Sequence, residues 1–251
     1  TNMCGIIAAA SERNVGKLLV KGLHKMEYRG YDSAGIALHQ KDKIAHLRTL
    51  GKVKLLEEKM ISEKPKSKLG IAHTRWATHG EPSEENAHPH KSNERVYIVH
   101  NGIIENYIEL KKFLKEEGYN FSSQTDSELI AHMIEYFLGK GNNMLDSMYL
   151  TKKKLDGAYA IAAIDKEDDT KIIIARCKSP LLIGIGKYGS LAASDPIAIS
   201  GLTNKFVFLE DGDVAEISSS EYKIYDASKN EVQRDISQID ISNESSSKGN
   251  Y

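Results

Sequence analysis

Six short segments of the chain hold residue types that can take part in acyl transfer and in the recognition of a small charged substrate. They are CGI from position 4, YRGYDSAG at 28–35, HTRWATHG at 73–80, NAHPH at 86–90, HNGIIEN at 100–106 and TDSE at 125–128. A cysteine can attack a carbonyl carbon, an amide N–H can stabilise an oxyanion, and arginine or aspartate can hold an opposite charge. These segments are the candidates for the chemistry of this protein.

Each segment taken alone also has a structural explanation. Cys4 precedes an apolar run and can be a small buried hydrophobe at a strand start. Trp76, the only tryptophan, can be a core anchor, and Arg75 can be a surface charge. Thr125 and Glu128 have the spacing of a capping box at a helix start. A prediction of function therefore has to rest on all six segments taken together.

Two further patterns point to other functions and are weaker. Gly184, Gly186 and Gly189 in GIGKYG satisfy the spacing of a dinucleotide-binding loop, but no helix pattern follows, which favours a β-hairpin. Four histidines lie within the eighteen residues 73–90 (His73, His79, His88 and His90). Their spacing matches no recognised metal site, so we expect no metal and no cofactor.

Length, charge and cysteine content narrow the class of protein. The 251 residues suffice for one large domain, and 34 basic side chains balance 35 acidic ones. This balance predicts neither a nucleic-acid partner nor a membrane surface, and favours a small, roughly neutral ligand. Two cysteines do not make a disulfide framework, and no apolar run approaches the roughly 20 residues of a membrane helix. We expect a cytoplasmic protein.

Apolar periodicity predicts a mixed α+β chain without regular strand-helix alternation. Strands are predicted at 4–10, 34–39, 43–49, 69–73, 96–100, 158–164, 171–176 and 181–185, and helices at 15–26, 108–117, 126–138 and 144–155. Residues 40–42 form a predicted turn, and 74–92 a long loop of the kind that is often functional. The remainder, from position 185 to about Ile224, is also β-rich, so the chain has enough strands for two sheets.

Taken together and in this order, the motifs closely resemble the glutaminase domain of the class II, amino-terminal-nucleophile amidotransferases. The resemblance runs from Cys4 to about Ile224, and several long motifs in fixed order make it specific. It implies a four-layer α-β-β-α sandwich with two antiparallel sheets, of the N-terminal nucleophile hydrolase type. It also implies that glutamine is hydrolysed to glutamate and ammonia through a thioester.

The resemblance assigns roles to individual residues. Cys4 matches the nucleophile, whose own α-amine serves as the base, because an α-amine has a pKa near 7.7 to 8.0. Asn101 and Gly102 match the oxyanion donors. Arg75 and Asp126 match the residues that hold the α-carboxylate and α-ammonium of glutamine. Four supporting residues are also implied: Thr78 and His79 as further substrate contacts, Arg29 as a residue ordering the site, and Trp76 as a gate for ammonia.

The chain ends lead to expectations about domain organisation. Residues 1–3 look like a cloning remnant with the initiator Met3, whose removal would expose Cys4. The glutaminase domain is expected at 4–236, followed by a serine-rich linker at 237–251 towards an absent sugar-phosphate isomerase domain, with a homodimer as the full-length form. Two alternatives remain: the glutaminase domain of another class II enzyme, serving nucleotide or asparagine synthesis, and a non-catalytic glutamine-binding module.

Overall fold

The computed structural model describes residues 4–77 and 79–241. Fifteen strands lie in this part of the chain: β1 (Gly5–Ser11), β2 (Ser33–Gln40), β3 (Lys43–Leu50), β4 (Leu69–Arg75), β5 (His90–Ser92), β6 (Val96–Ile104), β7 (Gly157–Asp165), β8 (Ile172–Cys177), β9 (Leu182–Gly186), β10 (Gly189–Ala193), β11 (Lys205–Phe208), β12 (Val214–Ile217), β13 (Tyr222–Tyr225), β14 (Glu231–Val232) and β15 (Ile236–Gln238). The α-helices are α1 (Gly16–Met26), α2 (Val53–Glu63), α3 (Tyr107–Glu116), α4 (Glu128–Gly139) and α5 (Met144–Lys152). Short 3-10 helices occupy Glu27–Arg29 and Pro196–Ile199.

The strands form two sheets whose paired neighbours are antiparallel. One sheet has eight strands in the order β15-β11-β9-β10-β1-β4-β2-β3, and the other has seven in the order β14-β13-β12-β8-β7-β6-β5. β1 lies inside the first sheet between β10 and β4, and β6 lies near the edge of the second between β7 and β5. The start of the chain is therefore held in a central strand.

Three apolar clusters show that the sheets and helices stack in four layers. Alternate residues of β1 face opposite ways: Ile6 packs in a cluster shared by the two sheets, and Ile7 packs with the α1 residue Leu23. A third cluster joins the second sheet to α3, α4 and α5. The order is helices, sheet, sheet, helices, which confirms the predicted α-β-β-α sandwich with two antiparallel sheets.

Most predicted strands and helices are confirmed within two residues at their ends. The turn at 40–42 joins β2 to β3. The glycine-rich GIGKYG segment is the hairpin between β9 and β10, with Gly186 paired to Gly189, and no helix follows it. Within residues 4–77 and 79–241, no helix is long and apolar enough to cross a membrane.

Four parts of the fold differ from the prediction. β6 continues to Ile104, four residues beyond the predicted strand end at 100, and α5 ends at Lys152, three residues before the predicted helix end at 155. α2 was not predicted, because its apolar residues do not keep to one face: Val53 and Leu56 are buried, whereas Leu55 and Ile61 are exposed. The loop predicted from position 74 begins later, because β4 continues to Arg75, and its last residues form β5.

The packed part of the chain also extends beyond position 236. β15 pairs with β11, the Ile239 N–H donates to the Asn204 carbonyl oxygen at 2.9 Å, and Ile241 packs against the helix-side cluster. Residues 237–241 therefore belong to the folded unit, and the linker expected at 237–251 otherwise lies outside the described residues, as do residues 1–3.

Candidate active site

A narrow cleft opens where β1, β4 and β6 approach the start of α4. Its lining comprises Cys4, Arg75, Trp76, His79, His88, His100, Gly102, Thr125, Asp126 and Ser127. The cavity volume is only about 20 Å³. Six of the nine residues to which the resemblance assigns a role thus meet at one place, although they come from segments spread over more than 120 positions.

Cys4 lies at the edge of this cleft, with its thiol against the backbone of Trp76, directly after β4, which pairs with β1. Its Sγ accepts a hydrogen bond from the Trp76 N–H at 3.2 Å, and lies 3.3 Å from the Trp76 carbonyl oxygen, to which the thiol donates. Burial raises the pKa of the thiol, and the Trp76 N–H and the Arg75 charge offset part of this increase. The thiol therefore needs a base to become a nucleophile at neutral pH.

Asn101 joins the nucleophile to the second sheet. Its Nδ2 donates to the Cys4 carbonyl oxygen at 2.9 Å. A side-chain amide carries two N–H donors, so this bond leaves one of them for another acceptor beside Cys4. An oxyanion that forms beside Cys4 is one such acceptor.

Gly102 occupies a position that a side chain would not fit. Its φ is +123°, and a Cβ atom there would collide with the Ala158 carbonyl oxygen of the paired strand. The residue lines the cleft together with Cys4, and its lack of a side chain lets its backbone lie close to the paired strand β7.

Arg75 is buried, so the alternative of a surface charge is wrong. Its guanidinium donates to Asp32 Oδ1 at 3.4 Å, to the carbonyl oxygens of Gly80 and Glu81 at 3.3 and 3.4 Å, and to the His79 carbonyl oxygen. Only 3% of Arg75 is exposed. A carboxylate presents the same kind of acceptor as these carbonyls, so Arg75 can exchange one for the other.

Asp126 places a buried carboxylate on the opposite wall. It is 3% exposed, and its Oδ2 accepts from the Ile104 N–H at 2.7 Å. One carboxylate can accept several hydrogen bonds, which leaves capacity for an ammonium group.

The capping box expected from Thr125 and Glu128 is wrong. Ser127 precedes α4 without a side-chain cap, and Thr125 Oγ1 accepts from the Ser127 N–H at 3.3 Å in a local turn. Glu128 instead accepts from the N–H groups of Ser122 and Ser123 at 2.9 and 2.7 Å. These bonds tie the preceding loop to the helix and hold Asp126 between them.

Trp76 is not a core anchor, because 39% of it is exposed. Its backbone holds the Cys4 sulfur, and its ring lies against Gly30, where a Cβ atom would contact the ring. The indole therefore covers the surface next to the nucleophile.

The three remaining supporting residues have different positions. Arg29 forms an ion pair with Asp195 and donates to the Tyr28 hydroxyl at 3.2 Å, so it orders the segment after β10 and does not line the cleft. His79 lines the cleft and stacks edge-on to Tyr107 with ring centroids 5.8 Å apart. Thr78 lies outside the described residues.

Sequence reasoning missed a group of side chains in and next to the cleft: His88, His100 and Ser127 line it, and Asp32 and His73 bond to Arg75 and Asn101. From the sequence, His73 and His88 were considered only as possible metal ligands. Burial lowers the pKa of His73 and of His90 to about 3, and lowers that of His100. Neutral imidazoles with such low pKa values are poor general bases. Within residues 4–77 and 79–241, no group of three or more His, Cys, Asp or Glu side chains could hold a metal ion.

This fold and this set of residues define a class of protein. A family model described as a glutamine amidotransferase domain matches residues 73–200, just over half of the 251 residues. The chain belongs to this family, and it is a glutamine amidotransferase domain of the N-terminal nucleophile type, as expected.

Its curated relatives are similar to it along nearly the whole chain. The glutamine–fructose-6-phosphate aminotransferase (isomerizing) of Haemophilus influenzae is 47% identical over 251 residues, and that of Shewanella oneidensis is 45% identical over 249. Each match covers 99% of this chain and 41% of the relative, so the chain spans about two fifths of the length of these proteins.

A solved structure shares the fold at lower identity. The glutamine phosphoribosylpyrophosphate amidotransferase of B. subtilis, complexed with ADP and GMP, matches with a TM-score of 0.78 and 26% identity, over 91% of this chain and 50% of its own. Because identity to the aminotransferases is higher, the alternative of another class II enzyme is not favoured.

Proposed function

We propose that this chain hydrolyses L-glutamine to L-glutamate and ammonia at Cys4. The observation that carries the proposal is that Asn101 bonds to Cys4 in the same cleft that Arg75 and Asp126 line. Nucleophile, oxyanion donor and two opposite charges for an amino acid are the four parts that the reaction needs.

The reaction proceeds in two acyl-transfer steps. Cys4 Sγ attacks the side-chain amide carbon of glutamine, and the oxyanion forms beside Asn101 Nδ2 and the Gly102 N–H. The carbon–nitrogen bond then breaks, ammonia leaves with the proton taken from the thiol, and a thioester remains. Water hydrolyses the thioester to glutamate and restores the thiol.

The α-amine of Cys4 is the base that suits this site. His73 and His100 have lowered pKa values, and the hydrogen bonds of the Cys4 sulfur within residues 4–77 and 79–241 go to the Trp76 backbone. An α-amine titrates near working pH, and it can return its proton to the departing ammonia. We therefore propose that the active form begins at Cys4.

To bind, glutamine must replace carbonyl oxygens that now accept hydrogen bonds from the Arg75 guanidinium. The cavity of about 20 Å³ is too small for an amino acid, and the carbonyl oxygens of Gly80 and Glu81 hold Arg75. The substrate carboxylate takes their place, and Asp126 holds the ammonium at the far end. Two charges at a set distance from Cys4 distinguish glutamine from asparagine by length.

In the full-length protein, we propose that the ammonia aminates fructose 6-phosphate to form glucosamine 6-phosphate. The names of the relatives support this, and the partly exposed Trp76 beside Cys4 is the residue we propose as the gate for ammonia. We also propose that the full-length protein is a homodimer and that it is cytoplasmic. The two free cysteines are consistent with a reducing compartment.

A glutamine-mimicking electrophile tests the proposal directly. It should add its mass to the peptide that contains Cys4, and glutamine at high concentration should protect that peptide. Glutamate release should disappear in proportion to labelling. Labelling at Cys177 alone, or glutamine binding without glutamate release, would contradict the assignment and favour a binding module.

A further inference from the structure

A line of hydrogen bonds runs from the nucleophile into the space between the sheets. Asn101 Nδ2 donates to the Cys4 carbonyl oxygen, and Asn101 Oδ1 lies 2.9 Å from His73 Nε2. The same His73 nitrogen lies 3.1 Å from the His100 carbonyl oxygen. His73 is on β4, two residues before Arg75, and it is completely buried.

The partners determine which way each group points. A carbonyl oxygen only accepts, so the Asn101 amide must turn its NH₂ group to Cys4 and its oxygen to His73. His73 Nε2 faces two oxygens, Asn101 Oδ1 and the His100 carbonyl, so it must carry the hydrogen. Its Nδ1 is buried and has no hydrogen-bond partner in the part of the chain described, which a lone pair tolerates better than an N–H.

The imidazole of His73 is held rigidly in this orientation. It stacks on His88, with ring centroids 4.0 Å apart and planes 21° apart. His88 is itself fixed, because its Nδ1 accepts from the His100 N–H at 3.2 Å. Burial also lowers the pKa of His73 to about 3, so the ring stays neutral with its Nε2–H in place through the neutral range.

We propose that His73 is the positioning residue that orients Asn101 as an oxyanion donor. Without the His73 N–H, the amide could rotate and place Oδ1 beside Cys4, where it would repel the oxyanion. This inference rests on the proposed function, because it acts through Asn101 in that reaction. It assigns to one of the four clustered histidines a role that is not metal binding.

Two amide substitutions of different length test this role. His73→Gln can place an NH₂ group near the Nε2 position, whereas the amide of His73→Asn is shorter and cannot reach Asn101. We expect His73→Asn to lower kcat about 10²-fold with KM changed less than about threefold, as for a misplaced oxyanion donor. His73→Gln should restore kcat to within about fivefold of the unsubstituted protein.

Three controls separate positioning from packing. His39→Asn removes another buried imidazole, whose Nε2 lies 2.8 Å from the Lys166 carbonyl oxygen outside the cleft, and should leave kcat unchanged. In an Asn101→Ala background, His73→Asn should cause no further fall in kcat, because the two residues act as a unit. Melting temperatures are measured for every variant, and His73→Met, which has a similar volume and no donor, replaces His73→Asn if the latter does not fold.

The outcomes distinguish this inference from the function on which it rests. Equal kcat losses in His73→Gln and His73→Asn, or additive losses with Asn101→Ala, would mean that the ring only packs. Unchanged kcat in His73→Asn, with activity lost in Asn101→Ala, overturns the positioning role alone. Absence of glutamate release and of Cys4 labelling in the unsubstituted protein overturns both.

Discussion

The side-chain amide of Asn101 lies 2.9 Å from the carbonyl oxygen of Cys4, although 97 residues separate them. This contact joins the first strand of one sheet to a strand of the other. The second amide N–H remains available to donate to the negative charge that develops next to the sulfur. Asn101 should therefore stabilise the transition state more than the bound substrate.

Asn101→Ala is expected to lower kcat 10²- to 10³-fold, about 3 to 4 kcal/mol, with little change in KM. The reason is that the oxyanion exists only after attack, whereas ground-state glutamine does not need this donor. Steady-state glutamate release measures both constants. Asn142→Ala, which removes an amide bonded to the Phe137 carbonyl oxygen far from the cleft, is the matched control. A rise in KM alone would contradict the role.

Arg75→Ala is expected to raise KM for glutamine about 10²-fold, since a buried charge pair contributes about 2 to 5 kcal/mol, while kcat changes much less. In the proposed mechanism, the guanidinium binds the substrate carboxylate equally in the ground state and the transition state. Arg13→Ala is the control, because Arg13 stacks on the Tyr188 ring at the surface. Equal effects of Arg75→Ala and Asn101→Ala on KM would show that the two roles are misassigned.

A preparation that retains Thr1–Met3 should hydrolyse glutamine about 10²- to 10⁴-fold more slowly than one that begins at Cys4. A peptide nitrogen does not accept a proton, so the base is lost. In the form that begins at Cys4, kcat/KM should rise with pH through about 7.7 to 8.0, because only the unprotonated amine acts as base. Intact mass identifies each form, and equal activity in both would refute the amine as base.

His46→Gln should make the free energy of unfolding less sensitive to acid. Burial lowers the pKa of His46 from 6.5 to about 4, and its Nε2 donates to the Pro89 carbonyl oxygen at 2.7 Å. Between pH 4 and pH 6.5 the unfolded chain binds more protons at His46 than the folded chain does. The contribution of His46 to the free energy of unfolding is therefore present above pH 6.5. It decreases as the pH falls, by up to about 1.4 kcal/mol per pH unit.

Denaturant titrations at several pH values between 4 and 6.5 measure this slope. The substitution should reduce the slope by up to about 1.4 kcal/mol per pH unit, whatever it does to stability at pH 7. Lys187→Gln, at an exposed position, should keep the original slope. An unchanged slope in His46→Gln would show that His46 does not carry the effect.

Gly102→Ala should lower the free energy of unfolding by more than about 3 kcal/mol, whereas Gly118→Ala should lower it by about 1 kcal/mol. Both glycines have positive φ, +123° and +92°, but only Gly102 faces a backbone carbonyl where the methyl group would lie. Gly118 has open space around it. Equal losses would mean that backbone conformation alone explains the need for glycine at position 102.

Much of the fold could be predicted from local patterns, and the exceptions have a common cause. Strands such as β2 and β3 alternate clearly or are apolar throughout, and a turn signal separates them, so they were predicted correctly. α2 was missed because Leu55 and Ile61 are apolar yet exposed, which obscures the helical period. Thr125 and Glu128 had capping-box spacing, but the Glu128 carboxylate binds loop N–H groups that no local rule includes.

The sequence by itself determined the class of the protein and the residue types of the site, because motifs such as HTRWATHG and HNGIIEN depend only on neighbours along the chain. The tertiary structure alone decided which groups touch: Asn101 with Cys4, His73 with Asn101, and Arg75 with the carbonyls of its own loop. These contacts depend on the register of two sheets and on the stacking of one upon the other. Hydrogen bonds that span tens of residues are therefore set by packing, and residue order does not reveal them.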